Sequence, residues 1–347
     1  MAATDEPWAG GVLGEMAPDS SAVIINDQNR PQLINPFTTT LIPAFYILVF
    51  VIGLPANALA LWIMAAKSKK PSTIFLINLA TADLLLILVL PFKISYHLLG
   101  NDWLFGEGLC RVMTAFFYGN MYCSILLLTF ISIDRYFALV HPFLSRRFRD
   151  NRSVFGVCAA IWVTVVLFVL PFLSVQQSYE IRDLNITTCH DVYLEGKWTM
   201  YFSYWLIVVI LGFLIPSLTT IFCYSVVIRS LTVNDIKYKK AAKITLLVLF
   251  IYLVCFTPSN IVLLVHQWSP GLHKYYMFLL SLSSFNSCFD PFLYYYISED
   301  CRNRVRKVFS LQTARSSLKF WPSTRLEFIS STLSSLSSSF QKRKPPA

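Results

Sequence analysis

The sequence predicts an all-α membrane protein, a bundle of seven transmembrane helices followed by a short amphipathic eighth helix. Three observations lead there. Of 347 residues, 55% are apolar and only 14% are charged, where a soluble domain carries about 25% charged residues. The charges cluster, leaving long stretches nearly free of them, and mean hydropathy is +0.56. Each free stretch exceeds the roughly 20 residues a helix needs to cross a bilayer. Strands of a membrane barrel would be about 9–11 residues long and would alternate; these runs do neither. An open-ended chain in lipid must pair its own backbone, which only a helix does.

Seven spans follow, at about 40–65, 74–99, 107–139, 152–173, 199–230, 238–266 and 274–298. Residues 1–39 form an external segment and 40–298 the seven-span domain. The stretch 299–310 carries Val305, Val308 and Phe309 among arginines and is expected to lie as a helix on the membrane. Residues 311–347 are Ser-rich and read as a disordered tail.

Lys and Arg placement sets the orientation. Lys67, Lys69 and Lys70 follow span 1; Arg146, Arg147, Arg149 and Arg152 follow span 3. Lys237, Lys239 and Lys240 follow span 5; Arg302, Arg304, Arg306 and Lys307 follow span 7. The alternate loops are poor in base, and the first 40 residues hold Asp5, Glu6, Glu15, Asp19 and Asp27 against Arg30 alone. The N-terminus is therefore expected outside and the C-terminus inside. The net charge of +10 is accounted for by attraction to anionic lipid on the inner leaflet and needs no nucleic acid. No basic segment followed by a short apolar core opens the chain, so no cleavable signal peptide is expected and span 1 is expected to insert as a reversed anchor.

Of eight cysteines, Cys123, Cys158, Cys223, Cys255 and Cys288 fall inside spans, where packing is the simple use. Cys110 and Cys189 fall on the outer side, where a disulfide would pin the loop after span 4 over the bundle. Asn185-Ile186-Thr187 in that loop is a glycosylation acceptor. Cys301, just beyond span 7, is a candidate for palmitoylation.

Charge at membrane depth is costly and marks function. Span 2 carries Asp83, span 7 Asp290 with Asn286, and span 3 Ser124. Together they suit either a sodium ion held by oxygen ligands or a water-filled network with one acid protonated. Span 3 ends in Asp134-Arg135-Tyr136, an acid and a base side by side at the inner mouth of the bundle. Pro216, Pro258 and Pro291 are expected to kink spans 5, 6 and 7 and give the bundle two packings.

These residues, in this order, resemble a rhodopsin-like (class A) G-protein-coupled receptor over roughly residues 40–310. The pattern comprises Asn57, Asp83, Cys110 with Cys189, Asp134-Arg135-Tyr136, Trp162, Pro216 with Tyr224, Phe256-Thr257-Pro258 and Asp290-Pro291-Phe292-Leu293-Tyr294. Phe256 and Asp290 stand where the family usually has tryptophan and asparagine, as in the receptors for proteases, nucleotides and lipids. Within that subset, Leu90-Pro91-Phe92-Lys93, Phe117-Tyr118, Asn120, Tyr122, Cys189-His190-Asp191-Val192 and Cys255-Phe256-Thr257-Pro258-Ser259-Asn260 with His266 resemble the protease-activated (thrombin-type) receptors.

That resemblance implies a serine protease that cuts the external N-terminus and a tethered peptide agonist, with heterotrimeric G proteins engaged inside. Arg135 would be held by Asp134 at rest and released to the G protein alongside Tyr224 and Tyr294. Tyr96, Tyr118, His190, Asp191, His266 and Tyr276 would meet the peptide, with Asp191 facing its α-amino group. The Ser-rich tail would recruit arrestin once phosphorylated, and the receptor would sit in the plasma membrane. One element departs from the family. Arg30, the sole base before span 1, precedes Pro31, where trypsin-like proteases cut poorly.

The rival ligand classes, nucleotide and lysophospholipid, find little support, because residues 258–266 hold no base for a phosphate. A retinal pump would need a lysine midway along span 7, and a transporter would show repeats; neither is present in the sequence. No nucleophile–base or metal-ligand spacing suggests an enzyme, and no cofactor is expected beyond the sodium ion.

Overall fold

Leucine, isoleucine, valine and phenylalanine fill the long runs on all sides, so each run closes its backbone internally as a helix and faces lipid or neighbours with equal ease. A computed structural model describes residues 12–16, 23–25, 33, 35–66, 70–143, 150–194, 198–234, 239–265, 272–298 and 301–304. Span 1 is Ile42–Ala65, entered through a π-helical turn at Phe37–Leu41; span 2 is Pro71–Leu98, span 3 Gly106–Val140 and span 4 Asn151–Ser174. Span 5 is built from Trp198–Val209, a π-helical turn Ile210–Leu214 and Ile215–Asn234. Span 6 is Lys239–Val265. Among the described residues six helices are long and apolar enough to cross a membrane, and the seventh crossing is made in two pieces, His273–Ser283 and Asn286–Ile297. Leu88, Val163, Leu167, Phe222, Phe250 and Phe292 stay exposed on the spans, as lipid-facing residues should.

Two helix irregularities lie ahead of the prolines. Span 7 breaks at Ser284–Phe285, ahead of Pro291, which sits inside the second piece. Three serine hydroxyls reach back three residues there: Ser281 to the Phe278 carbonyl (2.7 Å), Ser283 to Leu280 (2.7 Å) and Ser284 to Ser281 (2.6 Å). They offer those carbonyls an alternative to the α-helical ladder. In span 5 the irregularity is the π turn before Pro216, with the proline at the second position of the helix that follows. Gly212 lies in that turn because a Cβ there would stand 2.7 Å from the Tyr122 ring. Pro258 does lie inside its helix.

The outer face carries a structure the sequence reading did not foresee. Five short strands form one sheet in the order β4-β3-β2-β1-β5. β1 (Val12–Met16) and β2 (Val23–Ile25) come from the N-terminal segment, and β3 (Ser178–Ile181), β4 (Ile186–Cys189) and β5 (Val192–Leu194) from the loop after span 4. Val23, Ile25 and Leu33 bury themselves against Tyr179, Ile181 and Val192 to make a small apolar core. Of the predicted amphipathic helix, residues 301–304 are helical; the rest of it, the Ser-rich tail and Arg30 lie outside the described residues.

Candidate functional site

Three polar layers run down the bundle. The outer one hangs from the loop after span 4. Cys189 is joined to Cys110 at the start of span 3, their Cα atoms 5.8 Å apart. Glu107, one turn earlier, accepts the Gln177 and Ser178 amides (2.9 and 2.7 Å) and the Ser178 hydroxyl (2.6 Å). On the far side of the hairpin the Trp103 amide donates to the Thr187 carbonyl (2.7 Å), and the Thr187 amide to Asp102 (2.8 Å). Asn185 is exposed in the β3–β4 turn at φ 50°, accessible to a glycan.

His190 follows the disulfide with φ 66°, a strained conformation for a residue with a Cβ. It is held there on three sides. Its amide donates to the Gln177 carbonyl (2.9 Å), its Nδ1 lies 2.7 Å from Gln177 Oε1, and its Nε2 lies 3.1 Å from the Tyr118 hydroxyl. Tyr118 is also hydrogen-bonded to Tyr276 and packs between Phe172 and Trp205, each at 5.0 Å. His190 faces a cavity of about 250 Å³ lined by Phe172, Gln177, Met200, Tyr204 and Trp205.

Asp191 turns the other way. It is 3% exposed, accepts the Tyr96 hydroxyl, and lies 3.9 Å from His273 Nε2. Burial pushes its carboxyl up, while the Lys93 ammonium and the Tyr96 hydroxyl pull it down. Lys93 in turn sits over the Phe117 ring at 5.0 Å. The expected ligand set therefore divides. Tyr118, His190 and Tyr276 form one hydrogen-bonded chain that meets the cavity at His190, and Tyr96 and Asp191 join Lys93 and His273 in a separate buried charge cluster. An incoming α-amino group would have to displace these partners of Asp191. His266 lies outside the described residues.

The middle layer gathers Asp83 and Asp290. Asp83 accepts Asn120 (3.1 Å), Ser287 (2.9 Å) and the Tyr294 hydroxyl (3.0 Å). Tyr294 lies 3.1 Å from Asn57 Oδ1, and Asn57 donates to the Gly53 and Ser287 carbonyls. Asn286 donates to Asp290 (3.4 Å), and its Oδ1 is buried without a hydrogen-bond partner. The Ser124 hydroxyl lies 3.5 Å from Asn120 Nδ2. Above Asp290, Phe256 is fully buried against Tyr252 (5.3 Å) in the helix that holds Pro258.

At the inner end, Asp134 Oδ2 accepts the Ser72 hydroxyl at 2.8 Å and lies 3.8 Å from the Arg135 guanidinium. Tyr136 reaches His141 Nε2 at 3.1 Å and packs on Phe222 and on the group formed by Val227, Leu231 and Ala242. Tyr224 is buried, whereas Tyr294 is engaged one layer up with Asp83. The five in-span cysteines and Cys301 form no disulfide among the described residues.

Sequence reasoning overlooked the supports. Asn120, one helical turn before Ser124, was readable as a carboxamide at membrane depth. Ser72 opens span 2 beside Pro71 and gave no signal of its own. Glu107 and His273 sit at span ends, where polar residues are ordinary.

Residues 56–294 match the family model of the seven-transmembrane receptors of the rhodopsin family. The chain is 43% identical over 307 residues to proteinase-activated receptor 3 of Homo sapiens, covering 85% of this chain and 82% of that one. It is 41% identical over 320 residues to proteinase-activated receptor 2 of Rattus norvegicus, covering 88% and 80%. With proteinase-activated receptor 4 of Mus musculus it shares 40% identity over 326 residues, covering 90% and 82%.

Proposed function

Because this chain belongs to the rhodopsin family of seven-transmembrane receptors and, within it, to the proteinase-activated receptors, we propose that it converts the arrival of a peptide agonist, tethered after proteolysis or free, into activation of heterotrimeric G proteins. It is a multi-pass membrane receptor and not an enzyme; the plasma membrane, with the N-terminus outside, is its place of action. The observation that carries the reading is Asp191, a buried loop carboxylate beside the disulfide, held by Tyr96 and facing Lys93 and His273. A peptide α-amino group would compete with Lys93 for that charge, and an ion pair formed out of water discriminates strongly against uncharged ends. His190 at the cavity, backed by Tyr118, would seat the aromatic and apolar side chains that follow.

Inward, the two packings differ in which partners the buried charges keep. At rest Asp134 holds Arg135, and Tyr294 is spent on Asp83 and Asn57. Release of Arg135, with Tyr224 and Tyr294 swinging to it, would open the inner face to the G protein. A sodium ion in the middle layer is the reading that Asn286 Oδ1 supports, a buried oxygen without a hydrogen-bond partner on a side chain that donates to Asp290. Asp83, Ser124, Asn286 and Asp290 would hold it, and its charge would favour the resting packing. After activation, phosphorylation of the Ser-rich tail would recruit arrestin. A glycan on Asn185 and a palmitoyl chain on Cys301 complete the reading, with thrombin-type responses as its physiological setting.

The test is Asp191→Ala in cells expressing the full chain. Peptide responses should fall at least about tenfold in potency with surface expression intact, the cost of about 1.4 kcal/mol or more in a lost charged contact. Unchanged potency would remove Asp191 from the binding site.

A further inference from the structure

The sheet on the outer face has an unusual closure. β4 and β5 are its two edges, yet only His190 and Asp191 lie between Cys189 and Val192. Three Cα–Cα steps reach at most about 11 Å, whereas four strand spacings on a flat sheet would separate the edges by about 19 Å. The sheet must therefore curl, and His190-Asp191 is its seam. The curl wraps the apolar core of Val23, Ile25, Leu33, Tyr179, Ile181 and Val192.

Two strands of that closed sheet do not belong to the loop. β3 pairs with β4 on one side and with β2 on the other; β5 pairs with β1. The loop alone thus leaves a slot two strands wide between β3 and β5, and the N-terminal hairpin fills it. The contacts to the loop are parallel and short. Val23 is in register with Ile181, the Arg182 amide donates to the Val23 carbonyl at 3.2 Å, and Val12–Gly14 run beside Val192–Leu194. The hold on β2 comes chiefly from side chains, with Val23 and Ile25 buried and Ile24 exposed. Leu33 is buried in the same core, and its carbonyl accepts Asn101 Nδ2 from the turn after span 2.

We propose that the slot between β3 and β5 is a strand-addition site for an extended peptide of alternating apolar and polar side chains, filled in cis here by the N-terminal hairpin, and that its occupant sets where His190 and Asp191 sit. Main-chain pairing supplies the affinity of such a site and alternate side-chain pockets its specificity. An occupant tethered to span 1 competes at a local concentration on the order of millimolar. An outside peptide gains entry only when the hairpin leaves. Departure would expose Tyr179, Ile181 and Val192 together and free the seam residues from the curled geometry.

The experiment uses the full chain in lipid nanodiscs and a fluorescent synthetic peptide of residues 12–33, and reads binding, so it stands apart from any signalling assay. The double variant Val23→Asp/Ile25→Asp should eject the hairpin. It should bind the peptide at least about tenfold more tightly than the wild type, and the Arg182 amide should lose its hydrogen-exchange protection. Adding Ile181→Asp should abolish binding. In the pair Val23→Cys/Ile181→Cys, oxidation should lock the hairpin in and block the peptide, while each single-cysteine variant, treated alike with Cys110–Cys189 intact, should bind it as the wild type does; this pair decides the matter if the aspartate variant fails to reach the membrane. Peptide binding that is equal in the locked and single-cysteine forms, or absent from the ejected one, overturns the proposal.

Discussion

Asp134→Asn probes the inner lock with little change in shape. The asparagine oxygen can still accept the Ser72 hydroxyl, now at 2.8 Å, but the charge opposite Arg135 is gone. Two unit charges 3.8 Å apart attract by about 4 kcal/mol at an effective dielectric near 20. The Arg135 side chain is 28% exposed and Asp134 only 6%, so solvent screening and the cost of burying the acid both reduce that figure. A bias of about 1–2 kcal/mol toward the resting packing remains, or about 5–30-fold in a two-state ratio. The assay is agonist-free nucleotide exchange on a purified heterotrimeric G protein, driven by equal amounts of receptor in nanodiscs. Asp134→Asn should raise the basal rate about 5–30-fold. Ser72→Ala, which removes one neutral donor worth about 1 kcal/mol, should raise it less. A basal rate for Asp134→Asn equal to or below wild type would refute the assignment of this pair as the resting lock.

Three further outcomes follow from other layers. Gly212→Ala would place a Cβ 2.7 Å from Tyr122 and 3.0 Å from Phe168; overpacking of about 1–3 kcal/mol should lower the melting temperature, and an unchanged value would mean that the π turn relaxes freely. Sodium chloride should raise the melting temperature of the wild type above that in choline chloride; Asp83→Asn should abolish the difference and Asn286→Ala should shrink it, while a sodium effect intact in Asp83→Asn would exclude the middle layer. Burial raises the Asp191 carboxyl above its unfolded value, so the folded state holds the proton more tightly. The melting temperature of wild type relative to Asp191→Asn should fall as pH rises from about 3.9 through the raised value, then level off; a rise over that window would contradict the burial.

How much of this was legible in the sequence depends on range. The spans were, because each is one long local signal, and so was the cluster of Asp83 with Asp290, because charge at membrane depth stands out from any background. The break in span 7 at Ser284–Phe285 was not foreseen, because proline is the louder signal. Three hydroxyls at Ser281, Ser283 and Ser284 compete for carbonyls more quietly and act a full turn and more before Pro291. The sheet was illegible for a different reason. Its strands are three to five residues long, too short for a period, and its decisive pairing joins Val23 to Ile181, far apart in the sequence. Asp191 was readable as functional from the motif Cys189-His190-Asp191. That it turns away from His190 toward Lys93 and His273 was not readable, because those partners come from other spans.

The most direct test of the receptor assignment is calcium or inositol-phosphate release in cells expressing this chain, challenged in parallel with thrombin, trypsin, short free peptides, nucleotides and lysophospholipids. The account predicts a response to peptide or protease that is lost in both Asp191→Ala and Arg135→Ala while each variant still reaches the surface. A response to nucleotide or lysophospholipid alone, indifferent to Asp191, would contradict it.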